Sequence, residues 1–439
     1  VRQNDFFELA DRLASRLRGD EVLLCNLEAE DSDFVRLNGN RLRQAGSVRR
    51  CGLGLTLIQG QRQVEGGCDL AGQPDRDIAV AKGLLRRLKE YLCHVPDDPY
   101  LDYSTDPSAS ERSVGAGVPE PAEAVEHLIA AAQGLDLVGI WASGQIYRGF
   151  ASSIGHHHWH QSASFNLDWS CYLEKDKAVK ADYSGFAWDP SRLADKLQTA
   201  QAALRVMGRP ARTIEPGRYR AYLAPAAVQE LVDTLAWGGF GLKDHRTAQT
   251  PLLRLVRGER RLDPRVAIHE EHSRGLAPGF TPEGFTKPER VTLIADGAYR
   301  ECLADSRSAK EFGVPVNAGA EYPESLAVDG GNIAPDEVLD RLGTGLYIGN
   351  LWYLNYSDRN DCRITGMTRF ATFWVEDGEI VAPVKVMRFD DSLYHLLGDR
   401  LEGLTSQREL TLAPDTYDGR STQSYLLPGL LVSGIDLAL

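Results

Sequence analysis

Apolar residues recur every three to four positions over 4–18. Phe6, Phe7, Leu9, Ala10, Leu13 and Leu17 there share one face of an amphipathic helix. The period then falls to two. EVLLCNLEAE (21–30) and DSDFVRLNGNRLRQ (31–44) read as strands, the second turning at Asn38-Gly39. CGLGLTLIQ (51–59) and QRQVEGGCDL (61–70) follow. Helical spacing returns at 76–93, with Ala79, Leu84, Leu85, Leu88 and Leu92 inward. Residues 95–122 are rich in Pro, Asp and Ser and read as a loop or linker, and 121–133 reads as a helix. Long strands are expected at 136–151 and 157–174, then a helix at 189–207 behind an Asp-Pro start.

A boundary is placed at 208–217. Beyond it come short strands and turns, with helices near 225–236 and 335–342 and hairpins at 293–303 and 375–384. These patterns predict an α+β fold. Residues 1–212 form an N-terminal α/β region of antiparallel strands and helices. Residues 213–439 form a β-rich, antiparallel, barrel-like C-terminal domain.

Composition narrows the functional classes. Of 439 residues, 43% are hydrophobic and 25% charged, as in water-soluble globular proteins. No apolar run reaches the roughly 18–20 residues that cross a bilayer, and the first segment is an amphipathic helix rather than a signal peptide. The net charge of −13 and the lack of a basic stripe argue against nucleic-acid binding. Seven widely spaced cysteines without a CxxC predict reduced thiols and a cytoplasmic protein.

Two histidine clusters offer chemistry. GHHHWHQ (155–161) holds four of the ten histidines. On a strand, His156, His158 and His160 share one face, and His157 and Trp159 the other. That row spans about 13 Å, too long for three side chains to meet at one ion. IHEEH (268–272) sets His269 and His272 three apart, but its flanks are strand-like and rich in Gly and Pro, so no helix presents the pair. Both clusters read as structural. Cys302 and Cys362 lack a nucleophile's surroundings, and there is no phosphate-binding loop.

Four stretches carry a resemblance: PGRYRAYLAPAAVQELVDTL (216–235), TKPERVTLIADGAYRECLADSRSAKEFG (286–313), GTGLYIGNLWYLNYSDRNDCRITGMTRFATFWVEDGEIVAPVKVMRF (343–389) and STQSYLLPGLLVSGIDLAL (421–439). In these the chain resembles the TldD/PmbA family, described both as zinc peptidases and as modulators of DNA gyrase. TldD-type members carry HExxxH on a helix and a Cys near the C-terminus as zinc ligands. PmbA-type members, also called TldE, lack them. In this chain Pro225, Ala226 and Glu230 stand at the HExxxH positions and Asp418 at the Cys position.

The resemblance therefore implies a PmbA/TldE-like, non-zinc subunit of a peptidase complex for peptide processing or degradation, with no catalytic or metal residues of its own. Zinc is expected in a TldD-type partner. The partners implied are that subunit or a second copy, and an unfolded or leader peptide, with no nucleic acid and no membrane. The alternatives are a divergent metallopeptidase built on His269, Glu270 and His272 or on 156–160, and a non-proteolytic dimeric peptide-binding scaffold. Trp352, Tyr353, Tyr356 and Arg369 are candidates for a peptide groove, with packing the expected role for most of them.

Overall fold

The computed structural model describes residues 2–174, 177–416 and 419–438. Seven strands form the first sheet: β1 (Val22–Leu37), β2 (Leu42–Gln59), β3 (Arg62–Asp69), β4 (Ala109–Val114), β5 (Asp136–Ser152), β6 (His157–Glu174) and β7 (Lys177–Gly185). Their spatial order is β3-β2-β1-β5-β6-β4, and β7 pairs with the far half of β6. The two strands read over 21–44 are one strand as far as Leu37. The turn at 38–41 then leads into a second long strand that continues through 51–59. Segment 95–122, read as a loop, contains β4, which runs parallel to the histidine end of β6.

Alternation divides the sheet into two unlike faces. Leu23, Cys25, Leu27 and Ala29 of β1 face helices α1 (Gln3–Ala14) and α2 (Pro74–Leu92). Val35, Leu37, Trp141, Phe165, Leu167 and Trp169 face α3 (Pro121–Ala131) and α4 (Pro190–Met207). On α2, Ile78, Ala81, Leu84, Leu85, Leu88 and Leu92 are buried at three- and four-residue spacing, and Pro74 starts the helix where its missing N–H is harmless. The first helix stops at Ala14, short of the period's end, yet Leu17 packs on the same core.

The other face is largely polar, apart from a patch where Leu24, Ile58 and Phe150 pack on Phe280. Ser32, His156, His158, His160, Ser162, Ser164 and Asn166 are all buried on it. Gly144 lets β5 lie close against β1. Its φ is +136°, and a Cβ there would stand 2.1 Å from the Asp31 carbonyl.

The second sheet has thirteen strands. They are β8 (Gly217–Leu223), β9 (Ile268–Glu270), β10 (Val291–Ala295), β11 (Ala298–Tyr299), β12 (Ser325–Val328), β13 (Gly345–Ile348), β14 (Leu351–Asp358), β15 (Arg363–Thr368), β16 (Thr372–Glu376), β17 (Glu379–Pro383), β18 (Arg388–Ser392), β19 (Leu401–Leu412) and β20 (Ser424–Ala438). Helix α5 (Pro225–Gly239) packs against β20 and β14. The fold is α+β, but this sheet is open and branched rather than barrel-like: its main path ends at β11 and β17, which do not pair. Most ladders are antiparallel, while β12–β20 and β8–β13 are parallel. Both hairpins turn at Asp-Gly, with Asp296, Gly297, Asp377 and Gly378 at positive φ.

The polar face of the first sheet looks toward the C-terminal region. Asn166 donates to the carbonyls of Leu412 and Ala413 at 2.8 and 3.0 Å. Arg420 donates to Ser164 Oγ at 2.7 Å and to the carbonyls of Ser164 and Gly144 at 3.1 and 3.3 Å. Its backbone N–H donates to Glu30 at 3.2 Å.

Candidate functional site

Residues 153–155 make the turn between β5 and β6, and the histidine run follows directly. His156, His158 and His160 share the polar face, as alternation predicts, and each has its own partners. His156 shares hydrogen bonds with Ser152 and Ser104 at 2.7 and 3.1 Å. His158 does so with Ser110 and Ser108 at 2.8 and 3.0 Å, and its ring lies on Phe280. His160 Nε2 meets the Leu276 carbonyl at 2.9 Å. A carbonyl only accepts, so Nε2 carries the proton and Nδ1 is a bare acceptor, buried without a partner. Burial lowers all three pKa values, those of His158 and His160 to about 4. Neighbouring Arg112 adds to the effect at His160. These are neutral imidazoles bracing a seam.

The IHEEH segment is likewise split. His269, on β9, meets Asp329 Oδ2 at 3.2 Å. His272 sits in the next turn, its pKa lowered to about 4 by burial and by Lys287 and Arg112. Glu270 takes the Ser325 N–H at 2.9 Å, and burial pushes its pKa up to about 7. Among the described residues, no group of three or more His, Cys, Asp or Glu side chains is placed to hold a metal ion.

The positions that the resemblance sets against the zinc motif lie at the start of α5. Pro225 is its first residue, and Ala226, Gln229 and Glu230 line a cavity of about 110 Å³. Asp418 lies outside the described residues. The opposite wall is the polar face of the first sheet, contributing Asn166, Asp168, Lys180 and Asp182. Asp168 and Asp182 face each other across the β6–β7 ladder. Lys180 pairs with Asp168 at 3.6 Å. Burial raises the pKa of Asp168, of Glu230 and of Asp182, the last to about 7, with Glu409 adding to it. Zinc prefers imidazole and thiolate donors. This wall offers carboxylates already neighboured by a lysine, so it does not fit that metal.

The sequence reading did not single out Asp168, Lys180 or Asp182. Their signal is a charge at the centre of otherwise half-apolar strands, NLDWSCYL and KADYSGF. The aromatic candidates divide. Trp352 and Tyr353 are 41% and 79% exposed, so neither is core. Arg369 stands 4.4 Å over the Trp352 ring. Tyr356 packs inward and donates to the Thr234 carbonyl at 2.9 Å.

Comparison with known proteins matches this fold. The structure superposes on TldE from Thermococcus kodakarensis with a TM-score of 0.76 at 14% identity, covering 99% of both chains. A candidate modulator of a DNA gyrase from Thermotoga maritima gives 0.76 at 15% identity, covering 98% of this chain and 99% of that one. These likenesses establish the fold. In sequence, the chain is 34% identical over 121 residues to the metalloprotease PmbA of Escherichia coli O157:H7. That match spans 26% of this chain and 26% of the relative's length. The sequence model of the PmbA/TldA metallopeptidase C-terminal domain matches residues 216–439, just over half of the chain, and the protein therefore belongs to the PmbA/TldD family.

Proposed function

We propose that this chain is the PmbA/TldE-like, non-zinc subunit of a two-subunit peptidase that processes or degrades peptides in the cytoplasm. Hydrolysis takes place on zinc in a TldD-type partner, and this chain holds part of the peptide. One observation carries the reading. The turn of α5 that opens on the cavity presents Ala226, Gln229 and Glu230, not the imidazoles and general base a zinc peptidase needs.

The test is co-purification with a zinc-carrying TldD-type chain, followed by metal analysis and cleavage of unfolded casein by each chain and by the mixture. The expected result is substoichiometric zinc and no cleavage for this chain alone, with cleavage by the complex. About one zinc per isolated chain, together with cleavage, overturns the proposal.

A further inference from the structure

The cavity beneath α5 has a charge arrangement that packing does not explain. Like charges directly opposite on a ladder are destabilising, yet Asp168 and Asp182 are cross-strand partners. Lys180 compensates Asp168. Neither Asp182 nor Glu230 has an ion-pair partner among the described residues. Asp182 Oδ2 is buried and accepts no hydrogen bond. A buried carboxyl oxygen in that state is an unfilled acceptor.

The cavity is not closed off. Asn166, Asp168 and Pro414 also line a wider groove of about 590 Å³, which runs along the polar face past Ile140 and Ser170 to Gln44. An extended chain lying in that groove would bring its end, or one long side chain, to Asp182.

We propose that this cavity binds a primary ammonium group, held between Asp182 and Glu230 at the inner end of the groove. A primary ammonium has three donors and one positive charge in a small volume, which suits Asp182 and Glu230 in about 110 Å³: Lys180 lines the same cavity but spends its ion pair on Asp168, leaving carboxylates in excess. The proposal rests on the peptide-handling reading only for the ligand's source, a peptide amino terminus or a lysine side chain. The pocket itself is tested on the isolated chain.

Binding carries a proton signature. The groups that face Asp182 are Asp168 on β6, Lys180 on β7, Lys196 on α4 and Glu409 on β19, with Glu230 on α5 across the cavity. Lys196 is paired to Glu409, as Lys180 is to Asp168. The carboxyl of Asp182 therefore titrates at about 7 in the empty pocket and gives up its proton when a cation arrives.

The probe is n-butylammonium, titrated calorimetrically into the full chain at pH 6 and pH 8, with n-butanol as the uncharged control. Affinity should rise roughly tenfold between these pH values as Asp182 ionises. Asp182→Asn should weaken binding at pH 8 at least tenfold and flatten the rise in affinity between pH 6 and pH 8. Glu230→Gln is the second variant, and circular dichroism checks that both stay folded. Triglycine and Nα-acetyl-lysine methylamide then distinguish the sources: binding of the first alone identifies a peptide amino terminus, and of the second alone a lysine side chain.

Absence of butylammonium binding overturns the proposal. So does equal binding of butanol, or affinity unchanged in both variants. Stoichiometric Mn²⁺ or Zn²⁺ that displaces the amine would make the site a metal site instead. Failure to assemble with a TldD-type chain would leave the pocket intact and refute only the subunit reading.

Discussion

His160 allows a pH prediction with a worked magnitude. Its ring is 1% exposed, donates from Nε2 to the Leu276 carbonyl, and has nothing to offer a second proton on Nδ1. Arg112, Arg148 and Lys287 add positive charge around it. The pKa therefore falls from the ordinary 6.5 to about 4 in the folded protein. A depressed folded-state pKa means that the unfolded chain takes the proton first as pH falls. The contribution is full above pH 6.5 and disappears between 6.5 and 4. At 1.36 kcal/mol per pKa unit it amounts to roughly 3 kcal/mol.

Glu270 and Asp182, each raised to about 7, act in the opposite sense and lose stability as pH rises, so the wild-type curve alone mixes the effects. The clean comparison is His160→Gln, which keeps a donor for the Leu276 carbonyl and does not titrate. Urea unfolding followed by tryptophan fluorescence at pH 7.5 and pH 4 should show the wild type's advantage over the variant shrinking by roughly 3 kcal/mol. A difference that stays constant to within about 1 kcal/mol would refute the argument.

Three further outcomes are expected. Leu85→Ala on α2, at a position 2% exposed, should lower unfolding free energy by about 2–5 kcal/mol in the same assay. Arg420→Met removes the donor to the Ser164 and Gly144 carbonyls and should destabilise by about 1–3 kcal/mol. Among the seven free cysteines only Cys93 is exposed, so Ellman's reagent at pH 8 should label one thiol quickly; Cys25 and Cys51, with burial raising their pKa values to about 12 and 11, should follow only on unfolding.

The helices and long strands were legible because one side of each meets an apolar core. The period of Leu84, Leu85, Leu88 and Leu92 needs nothing beyond the helix to be read. β4 was hidden because ASERSV alternates no apolar residues. It is a strand because the histidine end of β6 offers it a ladder, and its Ser110 and Arg112 lie beside His158 and His160. The barrel-like expectation exceeded what short strands can specify, since closure depends on which ends pair. The α5 cavity was half legible. The family resemblance led to Pro225, Ala226 and Glu230, whereas Asp168 and Asp182 sit on strands tens of residues away and meet α5 only through tertiary packing.

The contrast between the two faces of the first sheet bears on how the molecule comes apart. Where helices cover it, separation would expose leucines and tryptophans, and both the heat-capacity change and the denaturant dependence scale with that area. Where Arg420, Asn166 and the histidines meet the C-terminal region, separation would expose hydroxyls, carbonyls and charged groups. Polar surface lowers the heat capacity of opening. Release of that seam should therefore carry a smaller heat-capacity change and a shallower urea dependence, for its area, than release of the helical layers, while being plain in hydrogen exchange. The seam could thus open over a wide temperature range without melting the layers on either side.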